Sequence, residues 1–524
     1  MQLPSSQPTS GSTSESYLHT SFSYVTFGAR SPTKAAAMTV ESFEVCIVGA
    51  GITGLNALAV ATDYLAPGER VLLVDARPRV GGMWVDTYDY VRLHQPHGNF
   101  TAGNVRWDQG HKREHLASKA EVLDHLQHCL EVARRKVRVV ERFGWNYVSH
   151  EERDGSVFVT LHSVDETQVV KAQRLVKAFG HRAAPNQPLR LSSELVQSTT
   201  PESLNSAETH ASADGPVWIV GSGKTAMDTA QVLLRDHPGR DVSLVAGPGT
   251  IFSRRDTFFP SGFRRWWGGT RINSMIRDTA LHFDGTNEAE LRGWFRAKYG
   301  TSPFAEAGDF FGAYLSDAEC ESIKRGLRHL EMEYLTDVVD GPQGPALQFR
   351  SGRSRSVPEG TLVVNCTGGL LRDTHPYEPF ASESGNVLSI QMRSSTTGVF
   401  SSFAGYYLTH LMFRDQLLDA GLYEMDIEDL SAQAKPLVAF ASMSLAMLNL
   451  GLIADALPSK ALLGCGLDYD SWYPLPRKMV GATKMMLTQR KDREHHAKTV
   501  ATLATRFGIR AGLLTLETRD RFMS

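Results

Sequence analysis

Three glycines, Gly49, Gly51 and Gly54, break the apolar run "FEVCIVGAGITGLNALAVA" at residues 43–61. Their spacing suits a strand that turns straight into a helix and cradles a pyrophosphate. Gly49 makes the tight turn, Gly51 lets backbone approach the ligand, and Gly54 lets helix and strand pack closely. The N–H groups and dipole of the helix N-terminus favour the negative charge. Asp75 closes the next apolar run, "RVLLVDA" (70–76). An acid at the end of a second strand binds ribose hydroxyls. The pattern returns in "PVWIVGSGKTAMDTAQVLL" from Pro216, where Gly221 and Gly223 repeat the first two glycines, Ala226 replaces the third, and Lys224 and Thr225 open the helix. "GSGKT" is not a triphosphate loop, because Trp218 stands where G-x-x-x-x-G-K-[ST] needs its first glycine. The second unit's next strand, "DVSLVAG" (241–247), ends without an acid, and Arg254 and Arg255 follow. A missing acid with arginine nearby favours a 2′-phosphate, hence NADPH over NADH.

These residues need strands and helices to hold them. A helix to about Tyr64, a Pro67-Gly68 turn and the 70–76 strand complete the first unit. Residues 117–135 show helical spacing. Residues 137–180 read as short strands parted by turns, a small antiparallel sheet inserted into a parallel one. Residues 192–214 read as a linker and 271–335, including "AGDFFGAYL", as a helical aromatic-rich insertion. "GTLVVNCTGGLL" (360–371) suits a strand crossing back to the first unit at Thr367-Gly368-Gly369. "TGVFSSFAGYYLTHLMF" (397–413) again runs from strand to helix, with Gly405 near the helix start. The predicted class is α/β, with two Rossmann-like dinucleotide-binding domains, a helical insertion and a helical C-terminal region. The expected boundaries are a leader at 1–40, the first domain at 41–195, the second at 214–360, and a return to the first with C-terminal helices at 361–524.

At 524 residues the chain calls for two or more domains. A formal charge of −2 gives no support for a nucleic-acid partner. The five cysteines (Cys46, Cys129, Cys320, Cys366, Cys465) form no C-x-x-C pair. A disulfide framework, a metal site and a dithiol redox centre therefore lose support, and a cytoplasmic setting fits. The first forty residues are rich in Ser and Thr and read as a disordered leader. Residues 437–454 carry no charge, yet read as a buried core helix rather than a membrane contact. The tail 476–514 is a basic helical stretch, either a solvated face or a partner surface.

Two dinucleotide units followed by a Thr-Gly strand end resemble the flavoproteins with two dinucleotide-binding domains, and within them the flavin-containing monooxygenase group (class B). Gly81-Gly82-Met83-Trp84 matches that group's G-G-x-W. "YDYVRLHQPHGNF" (88–100) resembles its Y-x-x-[VL]-x-x-N beside the flavin, "GSGKTAMD" its G-x-G-N-S-G-x-D, and "LVVNCTGG" its A-T-G-Y. The resemblance covers about residues 41–410. It implies FAD on Gly49, Gly51, Gly54, Asp75, Gly82, Met83 and Trp84, with the helix near Gly405 aimed at a flavin carbonyl. It implies NADPH on Gly221, Gly223, Lys224, Thr225, Arg254 and Arg255. The implied chemistry is reduction of FAD by NADPH, addition of O2 to give a C4a-(hydro)peroxide, and transfer of one oxygen atom to a small organic substrate. His94 stands at the family's asparagine near the flavin C4a, with Gln95 and His97 beside it, and these three are the candidate catalytic residues. A histidine that titrates near neutral pH would donate a proton there.

The group's F-x-G-x-x-x-H-x-x-x-[YW] fingerprint is missing, and Gln197-Ser198 stands at its His-Ser position. That absence favours an alternative, an NADPH-dependent flavin reductase or dehydrogenase without oxygen insertion. G-G-x-W favours the monooxygenase. A non-catalytic nucleotide-binding protein is the third reading, against which both intact motifs stand. The aromatic residues Phe258, Phe259, Trp266, Trp267, Phe310, Phe311 and Tyr314 point to a bulky, apolar or aromatic substrate. The sequence leaves the oligomeric state open.

Overall fold

The computed structural model describes residues 40–108, 110–180, 185–204, 215–368 and 375–515, the Phe311 side chain apart. The expected leader, Val40 excepted, and Gly369 lie outside them. Strands β1 (Ser42–Val48), β2 (Arg70–Asp75) and β3 (Arg138–Phe143) run parallel in the order β3-β2-β1. Each carries apolar residues on both faces, as a covered parallel sheet requires. β1 then pairs in parallel with β6 (Thr167–Ala178), a twelve-residue strand at which this seven-stranded sheet branches. Its first half pairs antiparallel with β5 (Ser156–His162), and β5 with β4 (Asn146–Arg153). Its second half, from Leu175, pairs in parallel with β18 (Val387–Ile390). The expected antiparallel insertion is this β4-β5-β6 meander.

The second sheet is wholly parallel. β7 (Gln197–Thr199), β8 (Val217–Val220), β9 (Val242–Val245), β13 (Leu330–Glu331) and β17 (Leu362–Asn365) lie in the order β13-β9-β8-β17-β7. Part of the stretch read as a linker is thus an edge strand, because β7 extends the ladder of β17. The last part of that stretch, 205–214, lies outside the described residues. Both sheets have helices on one face and an antiparallel meander on the other. For the second sheet the meander is β14 (Leu335–Gly341), β15 (Gly344–Phe349) and β16 (Ser354–Ser356). The 52–61, 119–134 and 401–413 helices cover the first sheet, and the 224–236 and 317–326 helices the second. A capping box fixes the start of the 119–134 helix: the Ser118 hydroxyl accepts from the Glu121 N–H, and the Glu121 carboxylate accepts in return.

A third cluster joins the insertion to the C-terminal region. It holds the helices 272–282, 288–299, 427–434, 438–456 and 475–507, with β10 (Thr250–Arg254), β11 (Gly300–Thr301) and β12 (Asp309–Leu315). The insertion is less helical than expected. Asp309–Leu315 is a strand parallel to β10, its register anchored by Phe310 opposite Ile251. Residues 397–400 form turns, and the strand preceding the 401–413 helix is β18. The helical stretch 427–456 is long and apolar enough to cross a membrane, yet most of its 438–456 part is buried, as expected of a core helix. The chain closes with β19 (Tyr423–Met425) paired to β20 (Ala511–Leu513).

Candidate functional site

The first glycine turn is built by close backbone contact. Gly49 has φ +107°, its N–H donates to the Val74 carbonyl at 2.7 Å, and a Cβ on it would lie 2.5 Å from the Ala178 carbonyl oxygen. A Cβ on Gly54 would lie 1.8 Å from the Gly49 oxygen, so this position presses helix onto strand as its spacing predicts. Gly51 lies against the G-G-x-W segment. A Cβ there would face Gly82 Cα at 3.3 Å, and one on Gly82 would face Gly51 Cα at 2.7 Å. The G-G-x-W segment therefore lies across the glycine turn, held by the Gly81 N–H on the Ala50 carbonyl (3.0 Å). Met83 opens the short 83–86 helix, and Trp84 packs edge-on against Phe100.

Asp75 is buried at the end of β2. Its Oδ2 accepts from the Ala50 N–H (2.7 Å) and its Oδ1 from the Arg77 N–H (2.8 Å). The 52–61 helix begins at Gly51 with no side-chain cap, and the 401–413 helix begins uncapped at Phe400. Thr53 Oγ1 and Ser401 Oγ stand 3.2 Å apart, so two positive helix ends converge beside the turn. Gly405 lies one turn inside its helix. A Cβ there would meet the Thr53 carbonyl oxygen at 2.3 Å, so this glycine is what lets the two helices cross.

The second turn copies the first. The Gly221 N–H donates to the Val245 carbonyl (2.9 Å), and a Cβ on Gly221, at φ +129°, would lie 2.6 Å from the Cys366 oxygen. Val245 and Cys366 thus play the parts of Val74 and Ala178. Gly223 starts the 224–236 helix uncapped, with open space where its Cβ would be. Both turns fit a dinucleotide: each offers a helix N-terminus lined by backbone that side chains would block.

Residues 88–97 join the two units. The Tyr88 hydroxyl donates to Asp228 (3.0 Å), Tyr90 meets the Thr229 hydroxyl (2.8 Å), and Lys224 pairs with Asp228. Burial holds the Asp228 carboxyl above its ordinary range, against the pull of Lys224. His94 Nδ1 accepts from the Tyr314 N–H (2.9 Å), which leaves the ring proton on Nε2. Burial, with Lys224 and Arg255 nearby, lowers the His94 pKa to about 3. His94 is therefore a neutral hydrogen-bond donor, not the near-neutral proton source its residue type suggests. Gln95 is buried beside it, and its Oε1 has no partner among the described residues.

His97 belongs to another network. Its Nδ1 donates to the His115 carbonyl (3.1 Å), and its ring packs against Trp107, His111 and His115. His111, His115 and Glu121 bring three possible metal ligands within 4.8 Å of one another. Both imidazole Nε2 atoms already approach Glu121 Oε1 (2.7 and 3.0 Å), while Oε2 caps the 119–134 helix.

Arg254 ends β10 and Arg255 opens the short helix that follows it. Arg255 donates to the His94 carbonyl (2.8 Å) and pairs with Glu319 (2.8 Å). Arg254 is partly exposed, donating to the Gly300 carbonyl (2.9 Å) beside Asp317. Thr225 lies beside the Tyr88 hydroxyl. The structure thus brings His94, Gln95, Lys224, Thr225 and Arg255 together between the turns and sets His97 apart. Sequence reasoning missed Tyr88 and Asp228, although both stand inside quoted motifs; Tyr314, expected among the substrate aromatics, instead meets His94 through its N–H and its ring, the two ring centroids 5.3 Å apart.

An apolar cleft lies at the start of the 401–413 helix, its walls including Asn273, Ile276, Thr397, Phe400, Tyr469 and Met485. None of the described aromatic side chains expected to form a binding site lines it. Phe258, Phe259, Phe310 and Tyr314 are core, and Trp266 and Trp267 face outward. Asp470, next to Tyr469, accepts from the Asn273 N–H (3.3 Å); burial and the neighbouring Asp468 raise its pKa to about 6.

Two glycine turns, each at the end of a parallel strand, agree with what the sequence comparisons find. Residues 43–259 match the family described as pyridine nucleotide-disulphide oxidoreductase. An uncharacterised protein of Mycobacterium tuberculosis is 29% identical over 217 residues, 39% of this chain and 38% of that one. The match thus spans well under half of that relative. Among solved structures, a steroid monooxygenase bound to NADP aligns with a TM-score of 0.48 at 13% identity, covering 87% of this chain and 99% of its own. The ornithine hydroxylase of Pseudomonas aeruginosa aligns with a TM-score of 0.45 at 14% identity, covering 71% and 99%.

Proposed function

We propose that this chain is an FAD- and NADPH-dependent monooxygenase that transfers one oxygen atom of O2 to a small, predominantly apolar organic molecule. The observation that carries the reading is the duplicated glycine turn, with a polar loop clamped between the copies. FAD would be held by Gly49, Gly51, Gly54, Asp75, Gly82, Met83 and Trp84, under the paired helix ends at Thr53 and Ser401. NADPH would be held by Gly221, Gly223, Lys224 and Thr225, with Arg254 as the more accessible of the two arginines. Bound FAD, once reduced by NADPH, supplies the activation of O2.

The chain's own residues supply position and dryness. His94 presents a fixed Nε2–H, and its low pKa keeps it neutral at working pH. Gln95 Oε1 is a buried acceptor open to a ligand donor. The apolar pocket at the helix start keeps water from the reacting centre and selects an apolar substrate. The five cysteines are buried and unpaired, and burial raises every thiol pKa, to about 12 at Cys46 and Cys366. They do not suit the thiolate chemistry of a disulfide reductase.

One observation favours a reductase without oxygen insertion. Gln197-Ser198, at the position of the missing fingerprint, lies in the β7 edge strand, where Ser198 Oγ accepts from the Leu189 N–H (2.8 Å). The test reduces the purified flavoprotein with NADPH or NADH under argon, then admits ¹⁸O2 with amines, sulfides and ketones. Label in a product, with little hydrogen peroxide, supports the monooxygenase. Stoichiometric peroxide with every substrate supports the reductase.

A further inference from the structure

The 33-residue helix Leu475–Phe507 carries its apolar residues on the wrong side for a core helix over its first half. Met485 turns inward to line the pocket, whereas Leu475, Met479, Val480, Met486 and Leu487 face outward at helical spacing, Leu487 being 79% exposed. A second element extends this face. The loop carrying Phe263, Trp266 and Trp267 exposes all three rings, Phe263 at 79% and Trp267 at 74%. The loop is tied to the helix, because Arg477 donates to the carbonyls of Arg265 (2.8 Å), Gly268 (2.6 Å) and Gly269 (3.2 Å). Arg271 donates back to the Arg477 carbonyl (3.1 Å). Helix and loop therefore form one surface. Exposed apolar surface on this scale marks an interaction site.

The charge on this surface has one sign. Residues 257–272 and 471–491 contain eight Lys and Arg and no Asp or Glu. Among the described residues, Arg264, Arg265, Arg271, Arg477, Lys484 and Lys491 make no ion pair with an acid; Lys478 pairs with Asp468 and Arg490 lies near Asp455. Unpaired cations interleaved with tryptophan, phenylalanine, leucine and methionine complement a surface with anionic headgroups above an apolar layer. We propose that this face docks the protein on an anionic lipid bilayer, with the indoles and aliphatic side chains at the headgroup boundary and the basic residues on the phosphates. The buried 438–456 helix takes no part. Docking does not depend on the activity proposed above.

Vesicle co-sedimentation of the full chain tests this, using phosphatidylcholine alone and phosphatidylcholine with about one-third phosphatidylglycerol. Binding is expected to the anionic vesicles, weakening as salt rises, with tryptophan emission shifted to the blue. Trp266→Ser/Trp267→Ser and, separately, Lys484→Gln/Lys491→Gln are expected to weaken binding on the order of tenfold while leaving the melting temperature unchanged. No binding to either vesicle, or equal binding by wild type and both double variants, overturns the proposal. So does concentration-dependent dimerisation that the tryptophan variant abolishes, which would assign the face to a second copy of the chain.

Discussion

At the scale of single residues, His94 is set by its neighbours rather than by its type. The unfolded chain protonates this ring below about 6.5, whereas the folded protein keeps it neutral down to about 3. Its contribution to stability is complete above pH 6.5 and is lost as pH falls toward 3. His94→Asn keeps an acceptor for the Tyr314 N–H and is expected to flatten this loss, read from urea midpoints at pH 7.5 and 4.5. The glycines divide by what their missing Cβ would meet. Gly54→Ala forces a carbon onto the Gly49 carbonyl and is expected to cost about 3 kcal/mol with loss of bound flavin. Gly223→Ala adds its carbon to open space, so it should melt like the wild type while raising the KM for NADPH. Thermal melts and NADPH titrations of the two variants separate a packing glycine from a ligand-facing one.

At the scale of elements, the 469–472 turn is the pH-sensitive part of the pocket wall. Asp470 has a pKa near 6 in the fold and an ordinary value of 3.8 outside it. Between those values the folded protein holds the extra proton, so this group favours folding at low pH and loses that advantage as pH rises through 6. Asp470→Asn, which mimics the neutral acid toward Asn273, should remove this slope; melting temperatures at pH 4.5 and 7 for both proteins check it. Both β-α-β units, the meander and the core helix were legible because each has its own period and punctuation. The strand Asp309–Leu315 was not, because its ladder with β10 spans some sixty residues and leaves no local signal. For the same reason Gln197–Thr199 read as linker: three residues become a strand only when β17 offers its edge. His94 was legible as a site residue, but its protonation was not, since that depends on Lys224, Arg255 and Tyr314 from other elements.

At the scale of the whole molecule, buried and part-buried polar contacts link the two units. The Tyr88 hydroxyl on Asp228 is one of them, buried at both ends. Tyr88→Phe leaves Asp228 with Lys224 alone and is expected to cost about 2 kcal/mol, as for a hydrogen bond to a charged group. It should also slow flavin reduction by NADPH without changing flavin content. Denaturant midpoints together with anaerobic reduction rates distinguish this outcome from general destabilisation.

The shared strand β6 has a consequence for how the chain is made. Its partner β18 follows roughly 210 residues later, after the whole second unit. At synthesis rates of about 5–20 residues per second, the nascent first domain waits on the order of 10–40 s with one edge of the end of β6 unpaired. An open apolar edge of that kind templates association with other chains. Production of this protein should therefore be limited by events on the ribosome. Slowed translation within residues 180–385 is expected to lower soluble yield, and a chaperone that shields nascent chains to restore it.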